Sequence, residues 1–380
     1  VAAKRRSGGE AIEATMADGI LPAQAIRNLI GDGAIRASVR PAGAASAFDD
    51  EQIQPASLDL RAGATAFRVR ASFLPGPDCT VAERLEDVGL HAIDLSDGSA
   101  LETGCVYIVP LLESLELPRD IAAAANPKSS TGRLDVFTRV ITDNGRAFDT
   151  IPAGYSGPLY LEVSPRTFPI VIRTGSRLSQ IRFRSGQARL SDNELRALHD
   201  EVSLADGEPV IDNGLGLSVD LDPKRKGIVG YRAKRYTGLI DVDKRDAHDQ
   251  RDFWEPVDLH GKSELILDPD QFYILMSREA VQVPPDYAAE MVPFDPLVGE
   301  FRVHYAGFFD PGFGHAESGG SGSRAVLEVR SHEVPFILEH GQTVCRLVYE
   351  KMAERPSFLY GTGIGSHYQA QGLKLSKHFR

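Results

Sequence analysis

Apolar residues in this chain fall in short runs broken again and again by Gly, Pro, Asp and Asn. Few stretches carry the three-to-four-residue spacing of an amphipathic helix. Leu21 to Ile30 is one: Ile26, Leu29 and Ile30 share a face, and Gly31 and Gly33 stop it. Asp192 to Val202 is another, with Ser191 and Glu194 forming a capping box ahead of Leu195, Leu198 and Val202. The remainder predicts many short strands with frequent turns. That pattern favours an all-β fold with a few short helices, a sandwich or barrel, over an alternating βα fold.

The pattern repeats. Under a shift of 166 positions, Leu101, Tyr107, Ile108, Pro118, Asp120 and Ala122 meet Leu267, Tyr273, Ile274, Pro284, Asp286 and Ala288. The same shift carries Leu161-Glu162-Val163 onto Leu327-Glu328-Val329, Pro169 onto Pro335 and Gly175 onto Gly341. A slightly different shift pairs Ser57, Asp59 and Leu60 with Ser218, Asp220 and Leu221. The chain therefore predicts two tandem copies of one β-rich domain. Turn residues at 205–207 and 212–214 put the boundary near 206, giving a flexible leader at 1–19 and domains at 20–206 and 207–380.

The chain has 380 residues and a net charge of −11, from 42 basic and 53 acidic residues. Its length suits two domains. Its acidity argues against a general nucleic-acid binder, and no run approaches the ~18 apolar residues of a membrane helix. Cys79, Cys105 and Cys345 are widely spaced with no CxxC, which removes the paired thiolates of a zinc-deaminase signature and fits a reducing cytoplasm. The histidines form no HExxH pattern. Trp254 reads as core, and the Gly/Ser-rich stretch His315 to Ser323 as a mobile loop.

Two features carry candidate chemistry. Lys128-Ser129-Ser130-Thr131-Gly132-Arg133 brackets hydroxyls and a glycine with two cations. Arg can fork onto phosphate oxygens, Ser hydroxyls can donate, and Gly lets the backbone come close. A solvated polar turn fits the same string, and the Walker pattern is absent. Glu162 lies in Leu159-Tyr160-Leu161-Glu162-Val163, where alternation sets it opposite the leucines. It is either a proton-transfer group or a glutamate on the wet face of a strand. The second copy repeats it as Glu328 but carries Phe294-Asp295-Pro296-Leu297-Val298-Gly299 in place of the cationic segment.

In this order, Gln54-Pro55-Ala56-Ser57-Leu58-Asp59-Leu60-Arg61, Lys128 to Arg133, Gly154-Tyr155-Ser156-Gly157 through Leu161-Glu162, and Gly175 to Gln180 resemble the dCTP deaminases of the dUTPase-like superfamily. Ser366-His367-Tyr368-Gln369-Ala370-Gln371-Gly372 resembles that family's C-terminal nucleotide-covering segment. The resemblance implies two distorted jelly-roll barrels, a homo-oligomer (a trimer by analogy) with sites between subunits, and cytoplasmic conversion of dCTP and water to dUTP and ammonia. It implies Mg2+ carried by the triphosphate, no zinc, dTTP as a feedback inhibitor, and no nucleic-acid or membrane partner. By residue, it implies Glu162 as the catalytic acid/base and Ser129 and Arg133 as its catalytic partners. Ser129, Ser130 and Arg133 would hold phosphates and help place the attacking water, and Lys128, Thr131 and Gly132 would also bind substrate. Tyr160 and Leu161 would lie along the base, and Gln180, Tyr360, Tyr368 and Gln371 would bind substrate. Alternatives are a dUTP diphosphatase, a bifunctional enzyme yielding dUMP, and a silent nucleotide-binding regulator. The family's Ile-Asp-Pro-Gly is displaced at Phe148-Asp149-Thr150 but kept as Phe309-Asp310-Pro311-Gly312. That contrast predicts a division of labour, with phosphate and proton-transfer groups in the first half and the closing tail in the second.

Overall fold

A computed structural model describes residues 17–380 apart from 39–46, 223, 225–226, 294–300, 304–306, 332–333 and 362–371. The duplication is visible in the strand order. In the first half one sheet runs Leu58–Arg61, Arg177–Ser185, Ile121–Pro127, Thr150–Ile151, with Gly19–Ile20 joining the far end of Arg177–Ser185. In the second half its counterpart runs Leu215–Ser218, Thr343–Lys351, Tyr287–Pro293, Gly307–Phe309. The facing sheet of the first half orders Gly89–Asp94, Thr65–Val69, Val106–Glu116, Ser156–Pro165, Val136–Thr142. The second half repeats that order as Trp254–Val257, Gly230–Ala233, Phe272–Val281, Ser323–Ser331, Phe301–Val303. The fold is all-β with a few short helices. Among the described residues no helix is long and apolar enough to cross a membrane.

Both expected helices form. Ala23–Gly31 buries Ile26 and Leu29. Asp192–Val202 starts at a capping box in which the Ser191 amide donates to Glu194 Oε2 at 2.7 Å. Leu195 and Leu198 of this helix enter the second core with Leu215, Leu217 and Leu347. The division between the cores therefore precedes the helix and does not follow it at 206. Nor are the cores sealed by sequence: Ile240, Phe253, Trp254, Leu375 and Phe379 pack into the first half's core. The His315 to Ser323 stretch is a tight turn around Ala316–Ser318, with Ser318 and Ser323 buried and the Gly322 amide on Gly314 O at 2.9 Å, not the mobile loop expected.

Buried polar contacts fix how the halves dock. Arg330 pairs with Asp135 and donates to Thr167 Oγ1 at 2.9 Å. Arg182 reaches Asp310 Oδ1 at 3.2 Å and Glu350 Oε2 at 3.6 Å, and its guanidinium lies 4.1 Å from the centroid of the Phe308 ring. Asn126 Nδ2 donates to Glu290 Oε1 at 2.8 Å. Charges out of water stabilise only when paired in good geometry, so these pairs specify one arrangement of the two halves.

Candidate active site

Lys128 to Arg133 leaves the strand Ile121–Pro127, makes one helical turn at Ser129–Gly132 and feeds the strand Val136–Thr142. It is not a solvated turn. Ser130, Thr131 and Arg133 are buried. Thr131 Oγ1 donates to Leu178 O at 2.8 Å, and the Lys128 amide donates to the same carbonyl at 3.0 Å. Thr131 therefore anchors the turn. The Lys128 ammonium pairs with Asp59, a buried carboxylate whose Oδ1 accepts no hydrogen bond, and Arg177 Nη1 is 3.9 Å from Oδ2. Gln180 stands opposite Asp59 on the neighbouring strand. Lys128, Gln180 and the turn thus gather at one end of one sheet.

Glu162 is not at this place. It is buried, so the wet-face reading fails, but it sits opposite Arg139 on the adjacent strand. Arg139 grips Oε1 through Nη2 at 2.6 Å and Nε at 3.1 Å, while Oε2 has no partner. The Arg139 guanidinium also lies 3.5 Å from the centroid of the Phe148 ring. Since Pro165 pairs with Val136, Glu162 lies three residues along, ~10 Å from the end that the 129–132 turn feeds. Tyr160 and Leu161 are core residues here, Tyr160 packing with Val69, Ile108 and Ile141. Asp149, held at φ 57°, completes this group. Its Oδ1 accepts from the Val140 amide at 2.7 Å, and burial, reinforced by Glu162 and Glu290, pushes its carboxyl up to about 7.

The carboxylate that meets the turn is Glu328, the repeat of Glu162. An ideal Cβ at Gly132 would fall 2.3 Å from Glu328 Oε2 and 2.8 Å from Cδ. Glycine at 132 is what allows this approach. Glu328 is buried, and desolvation pushes it up to about 8 against the opposing field of Arg133, with Asp135 adding to the rise. The second half also sends Asp310 toward Lys128 and Asp59; burial raises its carboxyl and Arg182 opposes that. Tyr360 lies beside Asp310–Gly312, its amide on Pro311 O at 2.8 Å and its ring 5.8 Å from that of Phe313. Tyr368 and Gln371 lie outside the described residues. The last described segment returns to the site: Arg133 Nη1 donates to Lys374 O at 3.0 Å and Ser376 Oγ to Ser130 O at 2.8 Å. A cationic, hydroxyl-bearing turn facing a carboxyl poised near neutrality can hold a polyanion and move a proton.

The family follows from two adjoining matches. Residues 17–187 match the N-terminal domain of 2'-deoxycytidine 5'-triphosphate deaminase, and residues 191–379 match its C-terminal domain. The chain belongs to the dCTP deaminase family. A crystal structure of 2'-deoxycytidine 5'-triphosphate deaminase from Agrobacterium tumefaciens is 63% identical, with a TM-score of 0.83 over 88% of this chain and 99% of that one. A dCTP deaminase of Halorubrum lacusprofundi is 29% identical over 35% of this chain and 64% of its own length. A "dCTP deaminase, dUMP-forming" of Beutenbergia cavernae is 30% identical over 41% of this chain and 78% of its own. The chain thus spans just under two thirds of the Halorubrum relative.

Within this dCTP deaminase family chain, sequence reasoning missed Asp135 and Arg330 as site-forming groups, quoted Asp59 and Asp310 within motifs without placing them at this turn, and set Glu328 aside. The available signal was the second half's combination of a retained Glu328 with a lost cationic segment. A lone carboxylate without its phosphate turn is explained if the turn comes from the other repeat.

Proposed function

We propose that this protein deaminates dCTP to dUTP and ammonia at one site built across its two halves. The observation that carries the reading is the packing of Glu328 against Gly132, which joins the second half's carboxylate to the first half's Lys128 to Arg133 turn. Arg133, Ser129, Ser130 and Lys128 hold the triphosphate, whose oxygens bring Mg2+ with them as part of the substrate. The base then lies along the strand Ser323–Ser331 beside Glu328. Water adds to C4 of cytosine. Its proton passes to Glu328 and on to N3; a second transfer to N4 lets ammonia leave as the C4–N4 bond breaks and the C4 carbonyl forms. A carboxyl already near neutrality exchanges that proton at low cost in either direction. Water activation by desolvation and this carboxyl accords with a sequence that lacks the paired thiolates of a zinc deaminase centre. The family's between-subunit site is made here between halves of one chain.

The test compares two glutamates in ammonia release from Mg-dCTP, with products separated by chromatography. Glu328→Gln loses at least ~10³-fold in kcat, while Glu162→Gln stays within a few-fold. The reverse order would refute the composite site. A second reading, release of dUMP and diphosphate, is favoured by the name of the Beutenbergia relative and by Asp310 beside Lys128. The same chromatogram separates the two products.

A further inference from the structure

The segment after residue 372 enters the site and is pinned on three sides. Leu375 and Phe379 are buried in the first core, Phe379 with its ring 5.4 Å from Phe253 and 5.9 Å from Trp254. Ser376 and Lys374 bond to the 129–133 turn as described above. The Asp246 and Ala247 amides donate to Lys377 O and His378 O, both at 3.0 Å. Residue 377 is therefore fixed next to the turn by bonds on both of its neighbours and on its own carbonyl.

Its side chain is a half-buried lysine among both cations and carboxylates. The groups acting on it are Lys128 and Arg245, which oppose its charge, and Asp59 and Asp243, which favour it. Arg133 and His378 are close through the bonds of Lys374 and Ser376. A cavity of about 300 Å³ opens here, walled in part by Arg245, Asp246, Lys374, Lys377 and Tyr231. Half-burying an ammonium costs stability, a cost that Lys128 and Arg245 add to and Asp59 and Asp243 offset, and an arriving polyanion reduces it.

We propose that Lys377 is a phosphate-binding residue of the nucleotide site, closing on the triphosphate opposite the Lys128 to Arg133 turn. This rests on the deaminase reading. The ammonium makes charge-assisted bonds to phosphate oxygens and discriminates nucleotides by phosphate charge, whereas Glu328 acts on the base. Burial and its cationic neighbours pull Lys377 down to about 8 in the unliganded protein, so its charge, and the affinity it supplies, is present at pH 7 and lost as pH rises past 8.

Calorimetric binding of Mg-dCTP and of deoxycytidine, in a Glu328→Gln background that does not turn over, separates the claims. Lys377→Met should weaken dCTP binding by about 10- to 100-fold at pH 7, the loss of one charged contact, and leave deoxycytidine unaffected. The Glu328→Gln parent should lose affinity between pH 7 and 9.5. Lys377→Arg should keep its affinity at both pH values, and melting curves of both variants report folding. Equal dCTP binding by Lys377→Met and parent, or equal losses for dCTP and deoxycytidine, would overturn the role of Lys377 alone. A folded parent that binds no dCTP would overturn this proposal together with the deaminase reading.

Discussion

Gly132→Ala tests the core of the composite site with one methyl group. The backbone at 132 is outside the left-handed region, so alanine suits the turn and is intrinsically the better helix former by ~1 kcal/mol. The penalty comes from across the halves. The new Cβ would sit 2.3 Å from Glu328 Oε2, and ordinary contact requires the carboxyl to retreat by ~1 Å. Misplacing a reacting group by that distance costs ~10²-fold in rate. Overpacking a buried contact costs about 1–3 kcal/mol in stability. Ammonia release should fall ~10²-fold in kcat, with KM for dCTP changed little because Arg133 and Ser129 stay in place. Glu328→Asp, which draws the carboxyl back, should cost less in the Gly132→Ala background than alone, a coupling a double-mutant cycle measures. Full activity with an unchanged melting temperature in Gly132→Ala would refute the claim that Glu328 works against this turn.

Three further outcomes follow from the geometry. Glu328 is raised to about 8 when folded and has an ordinary carboxyl value when unfolded, so the folded state alone keeps the proton between roughly pH 4.5 and 8 and the group's contribution to stability declines across that window. Glu328→Gln should therefore melt higher than the unmodified protein by roughly a few degrees at pH 8, with the gap closing toward pH 5 in calorimetry. Arg330→Met strands the buried Asp135 and should cost about 3–5 kcal/mol in urea unfolding, part of it recovered by adding Asp135→Asn. Arg139→Met strands Glu162 at a similar cost of about 3–5 kcal/mol, while ammonia release per folded molecule remains that of the unmodified protein.

The strands, the two longer helices and the duplication were legible because each rests on local periodicity. A shift of 166 positions superposes Arg177–Ser185 on Thr343–Lys351 and Ile121–Pro127 on Tyr287–Pro293, and the sheets order themselves accordingly. The Lys128 to Arg133 turn was legible because its composition is unusual. Which glutamate faces it was not. Glu162 and Glu328 both sit in a Leu-Glu-Val string, and choosing between them requires knowing how the halves dock. That is decided by Arg330 with Asp135 and Arg182 with Asp310, pairs separated widely in sequence and marked by no spacing. The boundary at 206 failed for a related reason. Turn residues show where the chain bends, whereas Leu195 and Leu198 show which core it serves.

The grip of Arg139 on Glu162 has a bearing on how such a chain changes over generations. A duplicated catalytic carboxylate left bare in a protein interior would burden folding, and the cheapest remedy is a neighbouring cation stacked on an aromatic ring. With Arg139 on its Oε1 and stacked on Phe148, Glu162 is committed to an ion pair inside the first half. The two repeats thereby become complementary specialists, each carrying what its twin has discarded. Under the proposed composite site, neither half could be deleted or exchanged for a second copy of the other without losing the chemistry.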